Sequence, residues 1–130
     1  MLGFTAVITA TLVLVLTVAY ANAMQADWQI NANGFRGTLH INPNSGDQFV
    51  SGRFTGTVDY NDGKGTKIVG DLSPNMITIQ RYLNSGARQD YVGYFFRHPD
   101  SPDVTTMAGY YYDTSNGKRS ENHGFYATTS

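Results

Sequence analysis

The sequence predicts an all-β protein: a small eight-stranded antiparallel up-and-down barrel, preceded by a cleavable signal peptide. Three observations carry that reading. Helical periodicity is absent after residue 24, whereas Val, Thr and aromatic residues are frequent. Turn chemistry recurs at short intervals and cuts the chain into strand-length pieces. Glycine also sits inside most of the longer pieces, as at Gly52, Gly56, Gly70 and Gly124. There it weakens a flat strand but suits a sheet that must bend or pass beneath an aromatic ring. Closing the sheet removes exposed edges, a benefit for a chain with no cysteine to staple it. An open two-sheet sandwich satisfies the same pattern and remains the alternative.

Residues 1–23 carry no charged side chain and run almost unbroken apolar from Ala6 to Ala21. They end in Ala21-Asn22-Ala23, the small-residue pattern of a signal-peptide cleavage site. A membrane anchor is the competing reading, but the apolar run is short for a span of about 20 residues. Residues 24–130 are therefore expected to form the mature protein, one domain, secreted to an extracellular or periplasmic space, with no stable membrane insertion after cleavage.

The strands follow in order. Trp28–Asn31 is the first, and Asn33-Gly34 offers a turn or bulge. Phe35–Ile41 is the second, broken by Asn42-Pro43-Asn44-Ser45-Gly46. Phe49–Tyr60 is the third and has the cleanest alternation: Val50, Gly52, Phe54, Gly56, Val58 and Tyr60 share one face. Asn61-Asp62-Gly63 reads as a tight hairpin of the type that needs positive φ. Thr66–Leu72 is the fourth strand, Met76–Leu83 the fifth and Gln89–Arg97 the sixth. His98–Asp103 contains two prolines and must be a loop, because proline cannot donate to a ladder. Val104–Asp113 is the seventh strand, Ser115-Asn116-Gly117-Lys118 a turn, and Gly124–Thr128 the eighth strand.

Composition narrows the function. Nine basic residues stand against ten acidic ones, net charge −1, with no basic stripe, so nucleic acid is not expected as a partner. The absence of cysteine excludes thiolate catalysis and Cys-type zinc sites. His40, His98 and His123 have no metal-ligand spacing. The acidic residues fall at strand ends and turns, where Asp shapes backbone. No G-x-S-x-G elbow occurs, and no spacing forces a carboxylate pair. No catalytic residue, metal or cofactor is therefore expected, and the protein is expected not to be an enzyme.

The start of this strand pattern resembles the avidin–streptavidin group within the wider calycin barrels. The likeness rests on Trp28, Asn31, Gly34, Thr38-Leu39-His40-Ile41 and Ser51-Gly52-Arg53-Phe54-Thr55-Gly56-Thr57. In the group, a Trp and a nearby Asn, then a Gly and a strand, precede a G-x-x-x-G-T segment. The resemblance implies the barrel, a small-molecule ligand, Asn31 as a polar contact near the closed end, and Trp28 as the plug of the barrel base. The chain also departs from the pattern. Trp28 is its one Trp, Val58 stands where a tyrosine follows the Gly-Thr, and Asn31 lies three rather than two residues after the Trp. These departures point away from biotin as the ligand.

The residues themselves add further candidates. Alternation leaves one of Gln80 and Arg81 facing inward, where a polar side chain must close a network or line a pocket. Tyr91, Tyr94, Phe95, Phe96, Tyr110, Tyr111, Tyr112, Phe125 and Tyr126 come from three successive strands, and about half face each way. Tyr94 and Phe96, with Tyr111 or its neighbours, are candidates for an exposed aromatic patch. The expected ligand-binding set is Asn31, Tyr60, Tyr91, Tyr110 and Arg81. The leading functional reading is a secreted, non-enzymatic barrel that binds a small molecule. The alternatives are a self-associating interaction protein, forming homo-oligomers through its outer aromatic faces, and a small-barrel enzyme. An unfilled interior of roughly 300 Å³ or more, lined by a few convergent polar groups, separates the first from the second.

Overall fold

A computed structural model describes residues 27–42, 52–97, 100 and 104–129. The segment 1–23, the third strand's start at 49–51 and most of the 98–103 loop lie outside the described residues. The strands are β1 (Asp27–Ala32), β2 (Phe35–Asn42), β3 (Arg53–Asp59), β4 (Thr66–Leu72), β5 (Met76–Tyr82), β6 (Arg88–Arg97), β7 (Val104–Ser115), β8 (Lys118–Arg119) and β9 (His123–Thr129). Strands β1 to β7 pair antiparallel in sequence order, β9 pairs with both β7 and β1, and the sheet closes. The barrel therefore has eight staves, and the two-residue β8 is a short extension hydrogen-bonded to the end of β7. Closure resolves the barrel-or-sandwich alternative, since no stave is left with an open edge.

Two hairpins use the positive-φ geometry that their Asn-Gly pairs favour. Asn33 and Gly34 (φ 52° and 90°) join β1 to β2, and Asn116 and Gly117 (53° and 74°) join β7 to β8. The expected tight turn at 61–63 is instead a loop from residue 60 to 65. Two aspartates account for the difference. Asp59 Oδ1 accepts from the Asp62 N–H, and Asp62 Oδ1 accepts from the Lys64 N–H. Side-chain acceptors thus hold a longer loop in place of a two-residue ladder closure.

Inward residues alternate with outward ones, most plainly along β1 to β4. In β1, Trp28, Ile30 and Ala32 are buried, and β3 buries Phe54, Gly56 and Val58 as its alternation requires. The interior is filled by Leu39, Ile41, Ile68, Leu72, Ile77, Ile79, Met107, Phe125 and Ala127 with those residues. Interior glycines make room for neighbours. The Phe54 ring lies over Gly70, where a Cβ would come within 2.6 Å of the ring. Trp28 is fully buried and packs 6.3 Å, centroid to centroid, from Phe95. It lies four residues along β1 from Ala32, about 13 Å at strand rise, and so at the opposite end from the mouth described next.

Candidate functional site

One end of the barrel opens into a cavity of about 410 Å³. Its lining comes from strand termini: Ala32 and Asn33 from β1 and its turn, Tyr60 just after β3, Arg81 from β5, Gln89 and Tyr91 from β6, Tyr111 and Asp113 from β7, and His123 from β9, with Phe35 at the rim. Below it the barrel is packed. Ile30, Leu39, Val58, Ile68, Ile79 and Tyr91 leave a gap of only about 10 Å³. The usable space is therefore the mouth and not the core.

A hydrogen-bond chain crosses the mouth. The Tyr91 hydroxyl donates to Gln89 Oε1 at 2.8 Å, so the Tyr60 hydroxyl, 2.9 Å away, donates to Tyr91. Arg81 Nη1 donates to the same Gln89 oxygen at 2.9 Å, and Nη2 donates to Thr66 Oγ1 at 3.0 Å. The guanidinium also lies 5.0 Å from the Tyr60 ring centroid, within cation–π reach. Arg81 Nε is buried and has no partner among the described residues. Tyr91 stacks on Tyr111 at 4.9 Å and meets Phe125 edge-on at 5.5 Å, while His123 tilts against Tyr111 at 5.2 Å.

Burial lifts the Tyr60 and Tyr91 hydroxyls above their ordinary value of 10, with the nearby Tyr60 adding to the effect on Tyr91. Tyr111 is raised as well, by burial and then by the Asp113 charge. The phenols are therefore neutral hydrogen-bonding groups around neutral pH and are not poised as bases.

Of the five residues singled out from sequence, Tyr60, Arg81 and Tyr91 meet in this mouth. Asn31 and Tyr110 do not line it. Asn31 has the opposite strand parity to Ile30 and Ala32 and points outward, where its Oδ1 accepts from the Gly34 N–H and secures the first hairpin. It lines a separate outer groove of about 360 Å³ with Gln29, Arg36 and Tyr126. Tyr110 is half-buried on the outer face, because its neighbour Tyr111 is the inward residue and is buried. Of the outer-face alternatives, Tyr111 or its neighbours, the neighbours hold that place and Tyr111 is buried. Tyr94 and Phe96 are exposed on the outer face, as is Tyr126. Gln89, Asp113 and His123 were not among the five, although Gln89 is the acceptor that joins the network. Its signal was a polar residue with inward parity, the same signal that marked Arg81.

His40 lies on the outer surface against Asp27. Among the described residues, no three His, Asp or Glu side chains gather in a group that could hold a metal ion.

No protein-family model and no curated protein matches the chain. Solved structures do. Apo shwanavidin superposes with a TM-score of 0.60 at 15% identity, covering 82% of this chain and 93% of that one. A low-affinity shwanavidin mutant gives 0.59 at 16% identity, over 82% and 93% of the two chains. A mutant shwanavidin–biotin complex gives 0.58 at 16% identity, over 82% and 95%. With its closed meander of eight antiparallel staves, the chain has an avidin-like fold.

Proposed function

We propose that the protein is a non-enzymatic binder of a small organic molecule, held in the barrel mouth, and that it acts after secretion. The carrying observation is the mouth itself: a cavity of about 410 Å³ in which Tyr60, Arg81, Gln89 and Tyr91 converge over a filled interior. Its size and its mix of aromatic walls with a few polar groups are those of small-molecule sites. One of the similar structures is a complex with biotin. Here the ligand is a different molecule. Two residues after Trp28 the inward position is Ile30, and the inward residue after Gly56-Thr57 is Val58, both buried. The avidin pattern has an Asn and a Tyr at those places, so the polar groups of this mouth are supplied by other residues.

Native mass spectrometry of the protein purified from its own secreted medium tests this reading. A small mass retained by each subunit, and lost from a variant carrying both Tyr60→Phe and Tyr91→Phe, is expected. A bare protein that also takes up no small molecule from a metabolite extract overturns it. A second reading, self-association, is favoured by the exposure of Tyr94, Phe96 and Tyr126 (48%, 57% and 53%) on one outer region of the barrel. The register sets Tyr94, Ala108 and Tyr126 side by side across β6, β7 and β9. The same spectrum reports subunit number directly.

A further inference from the structure

We infer that the ligand of the mouth is an organic anion with a flat, ring-bearing body, its acidic group directed at Arg81. The inference rests on the mouth being a ligand site and concerns what it selects. Three observations carry it.

The first is an uncompensated charge. Arg81 is set into the wall and only partly exposed, yet no carboxylate lies within ion-pair distance of it among the described residues. Both of its bonded nitrogens go to neutral acceptors, Gln89 and Thr66, and its Nε has none. A cation drawn out of water in this way is ordinarily paired. Arg53 and Arg88, elsewhere on the barrel, do have aspartate partners.

The second is rigidity. The side chain is clamped by Gln89, Thr66 and the Tyr60 ring, so its orientation is set before any ligand arrives. Pre-ordering of this kind lowers the entropy lost on binding. The charge, rather than the buried Nε hydrogen, is the recognition element.

The third is the wall. Tyr60, Tyr91, Tyr111 and Phe35 present ring surface, and Ala32 is the one aliphatic side chain among the lining residues. Asp113 is the acidic group of the mouth. It lies two strands from Arg81 on the same register row, through Gln89. It repels an anion on the β7 side and so directs the acidic group toward β5.

A matched pair of probes, with two substitutions at Arg81, tests the inference. 2-Naphthoate and 2-naphthamide share a shape and differ in charge at neutral pH. Each is titrated into the purified protein and followed by amide chemical shifts. Naphthoate is expected to shift the Gln89, Tyr91 and Tyr111 amides and to bind at least about tenfold more tightly than naphthamide. That preference should shrink on adding salt, collapse in Arg81→Gln and survive in Arg81→Lys. Equal affinity of the two probes at the mouth overturns the anion selectivity and leaves the mouth as a binding site. Shifts confined to other parts of the barrel, or none for either probe, overturn the inference, whereas the mouth as a site stands or falls on the mass retained in native mass spectrometry.

Discussion

The hydroxyls of Tyr60 and Tyr91 meet at 2.9 Å although 31 residues separate them in the chain. The contact joins the end of β3 to the start of β6 across the mouth and links to Arg81 through Gln89. It ties together side chains that no single strand could bring into contact, and it sets a hydrogen-bonded chain of polar groups over an apolar floor.

Stability should fall in alkaline solution because of this pair. Both phenols have folded-state values raised above 10 by burial, whereas an unfolded tyrosine titrates near 10. Above about pH 10 the unfolded chain releases these protons first, so it binds fewer protons than the native state and stability declines as pH rises. Their contribution is intact below pH 10. Urea denaturation between pH 8 and pH 11 should show the decline, and a variant carrying both Tyr60→Phe and Tyr91→Phe should show a shallower one. An identical slope in that variant would assign the decline to other groups.

Trp28→Ala should destabilise the protein by about 3–5 kcal/mol, since it empties a fully buried site packed against Phe95. Thermal unfolding followed by far-ultraviolet circular dichroism measures this. A melting temperature equal to that of the parent would show that Trp28 does not support the end of the barrel opposite the mouth.

Two glycines should behave oppositely. At Gly37 an added Cβ would lie 2.9 Å from both Tyr60 Cα and Tyr60 Cδ1 and would collide with the Asp59 carbonyl oxygen. Gly37→Ala should therefore cost about 1–3 kcal/mol, the range of overpacked sites, and should weaken ligand binding by displacing Tyr60. At Gly124 nothing lies within 4 Å of the added atom, and Gly124→Ala should change stability by no more than about 0.5 kcal/mol. Chemical denaturation of the two variants side by side tests the contrast.

Asn31→Ala should leave affinity for a mouth ligand unchanged. Its side chain serves the first hairpin through the Gly34 N–H, and losing that bond should cost about 1 kcal/mol. Isothermal titration with 2-naphthoate, alongside a melting curve, separates the two effects. A clear loss of affinity would return Asn31 to the binding machinery.

The strand pattern was legible because each stave carries its own signal. Period-2 burial in β1 and β3 follows local alternation, and Asn33-Gly34 and Asn116-Gly117 encode their turns within two residues. The loop at 60–65 was less legible, since its length depends on side-chain acceptors at Asp59 and Asp62 that compete with a tight turn. Where parity was clear the site was legible too: Tyr60 continues the inward face of β3, and Arg81 was one of two inward options on β5. Where a run was aromatic on both faces, as in Tyr110-Tyr111-Tyr112, hydrophobicity could not say which ring was inside.

By itself, then, the sequence determined that the chain would form short antiparallel strands in meander order, with a filled apolar face and polar residues embedded in it. Those are local properties, set by side-chain alternation and by the backbone preferences of Asn, Gly and Pro. Tertiary structure alone decided that the sheet closes between β9 and β1, which phenol turns inward on β7, and that Tyr60, Arg81, Gln89 and Tyr91 share one mouth. These outcomes depend on register between strands distant in sequence, where a shift of one residue would send every side chain to the other face.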